Sequence, residues 1–352
     1  PAILMKLRFW PFNLRFAHTW SISSTVGSGG KAFFGVVFAE LEDNDGLRGI
    51  GEASPSARYN ETPETVLRFL GSVDPNRLNF NDVAGSMTYL ETVAPSDFAA
   101  KTALNLALLD GAAKKAGQAI FDFLKLGFTE NRHVTSFSIG MDQRELTEKK
   151  VRAAHEFPVL KVKVGGPDDE ATVRLLWEIA PEKRLRVDAN EAWLTKERAL
   201  AAIEALASYG PIEFVEQPMP ADSPARSWEW LRERSPLPLF ADESYQRVGD
   251  LSRCVDYFDG VNVKLVKTGG ITGGLEALTA ARRAGLKTML GCMAESSVLI
   301  SAAAHLAELT DYLDLDGNLL VTNDPYRGVT VRDGVMSFAN TPEPSGLRVR
   351  PA

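Results

Sequence analysis

Leu160-Lys161-Val162-Lys163-Val164 sets two lysines one residue apart inside an otherwise apolar run. Side chains alternate faces along a strand, so Lys161 and Lys163 share one face while Leu160, Val162 and Val164 share the other. Two ammonium groups held on one face repel. Repulsion together with burial lowers a lysine's pKa toward the range where it can take up a proton at neutral pH. An edge strand with its lysines turned to solvent would show the same pattern. The residues on either side decide between the two.

From about residue 134 onward the chain repeats a strand-then-helix pattern. β-rich runs stand at Val134–Ile139, Val159–Val164, Leu185–Asp188, Ile212–Glu216, Leu237–Ala241, Val261–Leu265, Thr288–Leu290 and Tyr312–Leu315. Amphipathic stretches such as Leu146–His155, Lys196–Tyr209 and Leu275–Ala284 are long enough to be crossover helices. Such an array closes most naturally into a parallel barrel, the rival being a doubly wound open sheet. No Gly-rich phosphate fingerprint follows the first strand, whereas charged residues end strand after strand, where barrels keep their active sites.

Asp188, Glu216 and Asp242 end three successive strands and so meet at one rim. Any one of them could simply cap the next helix. Three carboxylates in register repel unless a cation neutralises them, and all-oxygen ligation suits Mg²⁺. The next strand ends in Lys264, across the barrel from Lys163, so that a base and an acid face each other over a metal.

At 352 residues the chain exceeds a usual single domain. A net charge of −7, without a basic stripe, argues against nucleic-acid or anionic-membrane partners. Cys254 and Cys292 follow no metal or redox spacing, which fits free thiols in a reducing compartment. The opening residues lack the apolar core of a signal peptide, and no segment is long enough to span a membrane, so a cytoplasmic protein is expected.

The first part reads as an antiparallel meander, Lys6–Leu14, Ala32–Leu41 and Leu47–Glu52, with a turn at Asp43-Asn44-Asp45-Gly46. Ser96-Asp97 reads as the cap of a long helix through Ala113, on which Asp110 is a satisfied structural carboxylate. Between the first two strands, His18–Gly30 holds four serines, two threonines and three glycines, and Ala53–Thr62 is a second loop. Both are slack connectors or lids. As lids they would bring Trp20 and Tyr59 to the pocket. His133 and His155 are expected at the surface, and His305 as an ordinary helix residue.

Together, Lys161-Val162-Lys163, Val187-Asp188-Ala189-Asn190, Val215-Glu216-Gln217-Pro218, Ala241-Asp242-Glu243-Ser244 and Val263-Lys264-Leu265 through Thr268-Gly269-Gly270 resemble the enolase superfamily. The likeness is to its muconate lactonising enzyme subgroup, and most of all to the dipeptide epimerases. The resemblance implies a (β/α)7β TIM-like barrel over residues 129–319, with an α+β capping domain formed by 1–128 and the returning 320–352. It implies Mg²⁺ on Asp188, Glu216 and Asp242, and Lys163 and Lys264 as the two acid/base groups, with Lys267 a lesser alternative to Lys264. Lys161 would hold the substrate carboxylate and depress the pKa of Lys163. The implied reaction is epimerisation at the α-carbon of a dipeptide's C-terminal residue, through a metal-stabilised enolate.

Asp314-Leu315-Asp316 aims two more carboxylates to one side, which suits a substrate ammonium group. Dipeptide epimerases resemble this chain in that pair, which in them holds the free amino terminus. Ser136, on the first barrel strand, joins the substrate-binding candidates. In relatives acting on Ala-Glu the first lid carries an arginine, whereas His18–Gly30 here has neither arginine nor lysine. A neutral, apolar C-terminal residue is therefore expected, unless Arg58 or Lys31 supplies the charge. Muconate-type cycloisomerases, o-succinylbenzoate synthases and N-acylamino acid racemases use the same scaffold and stand as alternatives. A Schiff-base aldolase and a catalytically silent binding protein are the rivals from other classes, and the oligomeric state, a homo-oligomer included, is left open.

Overall fold

The computed structural model describes residues 5–352, so the expectation that no signal peptide opens the chain falls partly on residues 1–4, outside the described residues. Strand β1 (Lys6–Trp20) pairs antiparallel with β2 (Lys31–Glu42), and β2 with β3 (Arg48–Ala53). The turn between β2 and β3 is held by the Asp43 carboxylate, which accepts the amides of Asp45 and Leu47 at 3.0 Å each. β1 runs six residues past the Leu14 expected as its end. Its extension is held by pairing of Trp20 with Lys31 and by a bridge from Phe16 to Val321 in the C-terminal tail.

Helices α1 (Pro63–Gly71), α2 (Val83–Val93), α3 (Phe98–Lys115) and α4 (Ile120–Phe123) follow. α3 packs so closely on β3 that a Cβ at Gly51 would lie 1.9 Å from the Ala103 carbonyl oxygen. Only glycine permits that approach. Asp110 is buried in α3 and accepts the amides of Ile50 (2.9 Å) and Leu347 (2.7 Å) and the Lys114 ammonium (2.7 Å), the structural role expected of it. Asp97 does precede α3, but its side chain makes no capping bond; it accepts the Ser96 hydroxyl instead.

The remainder alternates strand and helix: β4 (Phe137–Ile139), α5 (Arg144–Ala153), β5 (Val159–Lys163), α6 (Asp169–Ile179), β6 (Arg184–Asp188), α7 (Lys196–Ala207), β7 (Ile212–Glu216), α8 (Ala225–Arg234), β8 (Leu239–Ala241), α9 (Leu251–Cys254), β9 (Gly260–Lys264), α10 (Leu265–Thr268), α11 (Ile271–Arg283), β10 (Lys287–Gly291), α12 (Ser297–Ala304) and β11 (Tyr312–Asp314). The eight strands from β4 to β11 form one parallel sheet in sequence order. A bridge between Thr135 and Leu313 joins its two edges, closing the barrel. Alternation turns Leu160, Val162, Val261, Val263 and Leu290 into the main apolar core, which is shared with the helices. The opposite parity fills the barrel: Phe214, Phe240, Met289 and Tyr312 pack together, and the ionisable residues stand toward the C-terminal strand ends.

After β11 the tail forms β12 (Tyr326–Arg327), β13 (Thr330–Arg332), β14 (Val335–Ser337) and β15 (Arg350–Pro351), two short antiparallel pairs. His133 is buried rather than at the surface, its Nε2 lying 3.0 Å from Glu308 Oε1 and its ring 4.7 Å from Phe128. His305 is also buried, at the C-terminal cap of α12. Among the described residues no helix is long and apolar enough to cross a membrane.

Candidate active site

Register in the parallel sheet sets Lys163 beside Asp188, Asp188 beside Glu216, and Gly291 beside both Lys264 and Asp314. Two rows of the sheet, Lys163-Asp188-Glu216 and Lys264-Gly291-Asp314, thus carry five of the residues singled out from the sequence. Gly291 keeps the second row open, since a Cβ there would meet Asn262 Oδ1 at 2.4 Å. One carboxylate oxygen from each of Asp188, Glu216 and Asp242 lies within 4.8 Å of the others, and all three residues are buried. Lys163 Nζ is 2.6 Å from Asp188 Oδ2, and Lys264 Nζ is 2.7 Å from Asp242 Oδ2.

Lys161 is more deeply placed than Lys163, with Nζ 2.7 Å from Asp314, 2.9 Å from Glu216 and 3.1 Å from Asp188. Burial alone would lower its pKa, but those carboxylates outweigh burial and hold it well above the usual lysine value. The mutual repulsion expected from the spacing is therefore overridden here by acids that the strand itself does not reveal. Lys264 behaves alike, with burial opposed chiefly by Asp242. Burial, reinforced by Asp188 and Asp242, pushes the Glu216 carboxyl up to about 7. Glu216 Oε1 accepts the Asn262 amide at 2.7 Å, while Oε2 lies near Lys161 without a hydrogen bond. Lys267 Nζ is fully engaged, by Asp242 and by the carbonyls of Tyr245 and Asn262.

Above this floor opens a cleft of about 260 Å³, into which Lys161, Lys163, Lys264, Asp314, Asp316, Trp20 and Tyr59 all face. β11 ends at Asp314, so Asp316 reaches the cleft from the following turn rather than from strand alternation. Asp314 accepts Lys161 and Ser136 Oγ at 2.7 Å each, so that Ser136 stands behind the cleft and Ser138 lines it. Asp316 accepts the Ser138 amide at 2.6 Å, and burial together with Asp314 pushes its carboxyl up to about 6. Phe16, Ile22, Phe34, Met293 and Leu320 add an apolar wall that the sequence did not single out, because no period or motif distinguishes them from core residues. Arg58 also faces the cleft but is paired with Glu191 through two bonds of 2.6 and 2.8 Å.

Residues 16–125 match the mandelate racemase/muconate lactonizing enzyme N-terminal domain, and residues 144–342 match the enolase C-terminal domain-like family. The chain belongs to the enolase superfamily. Within that superfamily it is 57% identical to an L-Ala-D/L-amino acid epimerase of Pedosphaera parvula, over 98% of this chain and 99% of the relative. It is 35% identical to an L-Ala-D/L-Glu epimerase of Bacteroides thetaiotaomicron, over 96% and 86% of the two chains. A dipeptide epimerase of Enterococcus faecalis, solved with Mg and L-Leu-L-Tyr, superposes with a TM-score of 0.87 at 28% identity, covering 98% of each chain. This enolase-superfamily member is an isomerase of the racemase and epimerase class acting on amino acid derivatives.

Proposed function

We propose that the protein inverts the α-carbon of the C-terminal residue of a dipeptide by a two-base proton transfer. The observation that carries this reading is the placement of Lys163 and Lys264. They end β5 and β9, four positions apart in a ring of eight strands, and flank the buried carboxylate group from opposite sides of one cleft.

In this reading one lysine, as the free amine, takes the α-proton. The other, as ammonium, delivers a proton to the opposite face, and the two exchange protonation states in each turnover. Lys161 holds the substrate carboxylate, on which the second negative charge develops. Asp314 and Asp316, backed by Ser136, receive the amino terminus, and Trp20 and Tyr59 close over the side chain. The buried oxygen-only set of Asp188, Glu216 and Asp242, with Glu216 Oε2 lacking a hydrogen bond, fits Mg²⁺. Bound there, Mg²⁺ would supply the positive charge that opposes carboxylate charge in the transition state. The division into a capping domain, 1–128 with 320–352, and a barrel of 129–319 belongs to the same proposal.

An apolar or neutral C-terminal residue is supported by the wall of Phe16, Trp20, Ile22 and Phe34 and by the engagement of Arg58 with Glu191. The relative solved with L-Leu-L-Tyr points the same way. N-acylamino acid racemisation is favoured by one observation, that Lys161 already neutralises Asp314. One experiment separates the two readings: L-Ala-L-Xaa dipeptides and N-acyl amino acids are incubated with protein and Mg²⁺ in D₂O, and gain of one deuteron is read by mass spectrometry. The expected result is fast exchange on apolar dipeptides, abolished by chelator and restored by Mg²⁺. Exchange on N-acyl amino acids alone would move the assignment to a racemase, and undiminished exchange in chelator would remove the metal from it.

A further inference from the structure

We propose that the Arg58–Glu191 ion pair sets the charge preference of the cleft for the substrate's C-terminal side chain, Glu191 withholding the Arg58 guanidinium from it. The inference rests on the dipeptide reading above. Arg58 comes from the loop after β3 and Glu191 from the loop after β6, and both line the cleft. Arg58 Nε donates to Glu191 Oε2 at 2.6 Å and Nη2 to Oε1 at 2.8 Å, the paired geometry by which a guanidinium would otherwise bind a substrate carboxylate. Glu191 is itself fixed from the barrel side, for Oε1 also accepts the Ala221 amide at 2.8 Å. Its backbone has φ 67°, a left-handed conformation that costs a non-glycine residue free energy. The conformation aims this one carboxylate across to the capping loop.

Among the described residues lining the cleft the cations are Lys31, Arg58, Lys161, Lys163 and Lys264. Lys161, Lys163 and Lys264 are paired with the acids of the floor, and Lys31 lies at the rim with Nζ 5.6 Å over the Phe34 ring. Arg58 is thus the only guanidinium of the lining, and Glu191 occupies both of the donors that face it. Either partner alone would leave a charge at the mouth: a free Arg58 would select an acidic side chain, a free Glu191 a basic one.

The test is kcat/KM on L-Ala-L-Leu, L-Ala-L-Glu and L-Ala-L-Lys for the wild type, Glu191→Ala, Glu191→Gln, Arg58→Ala and the double alanine variant. Both Glu191 variants should raise the Glu/Leu ratio by about tenfold, Arg58→Ala should raise the Lys/Leu ratio by about as much, and the double variant should return both to within about twofold of wild type. Ratios taken on one preparation cancel any loss of folded protein, and Glu191→Gln preserves side-chain shape. Unmoved ratios in the single variants, or a double variant that keeps the shift of either single, would overturn the inference while leaving epimerisation intact. A wild type that turns over none of the three dipeptides would overturn the dipeptide reading and this inference with it.

Discussion

Asp314 and Asp316 lie two residues apart yet have different chemical tasks open to them. Asp314 is already paired with the Lys161 ammonium and accepts the Ser136 hydroxyl, whereas Asp316 accepts a backbone amide and lies 3.8 Å from the Cys292 thiol. Burial beside Asp314 raises the Asp316 carboxyl to about 6, a cost that an incoming ammonium group would relieve. Asp316→Asn is therefore expected to lower kcat/KM for L-Ala-L-Leu by about 100-fold, mainly through KM, because a desolvated ammonium loses its charged partner. Turnover of N-acetyl-L-Leu, which brings no ammonium, should change far less. Equal losses on both substrates would show that Asp316 shapes the cleft without recognising an amine.

At the scale of elements, the barrel strands are legible in the sequence because each buries a β-branched or leucine face, and β5 to β9 and β11 carry an ionisable residue at or next to their C-terminal end. Ile212–Glu216 was placed to the residue, and the others differ at one or both ends by one to three residues. What escaped reading depends on partners remote in sequence. The extension of β1 to Trp20 rests on pairing with residues 31 and 321, and the Arg58–Glu191 pair spans 133 positions. The site candidates were legible because strand alternation and register bring them together. The state of Lys161 was not, since its three acids come from β6, β7 and β11.

His305 shows the same limit, and its surroundings carry a pH dependence. Its Nε2 donates to the Leu347 carbonyl at 3.1 Å and its Nδ1 accepts the Phe121 amide at 3.3 Å, so the neutral ring ties α12 to both α4 and the tail. A proton on Nδ1 would face a donor. Burial lowers its pKa from 6.5 to about 3, so between these values the unfolded chain binds the proton first. Its contribution to stability is complete above the unfolded value and is lost as pH falls toward the folded one, by at most about 1.4 kcal/mol per pH unit. His305→Gln should flatten the decline in melting temperature between about pH 6 and pH 4. An unchanged decline would place the acid sensitivity elsewhere.

The whole molecule sets two lysines across a barrel and covers its mouth with loops from a separate antiparallel sheet. On the proposed reading, proton transfer and recognition of the C-terminal side chain come from different parts of the chain: the strand ends supply Lys163, Lys264 and the carboxylates, while β1, β2 and the loop after β3 supply Phe16, Trp20, Phe34 and Tyr59. Such a division lets the side-chain preference change without disturbing proton transfer. The central claim is that each lysine serves one face of the same α-carbon. It is tested most directly by incubating Lys163→Ala and Lys264→Ala separately with L-Ala-L-Leu and L-Ala-D-Leu in D₂O, following inversion and deuterium uptake together. Inversion should fall by at least about 1,000-fold in both variants, while each still exchanges the α-proton of one isomer, the opposite isomer in the two cases. Exchange of both isomers by either variant, or inversion that survives the loss of either lysine, would contradict the account.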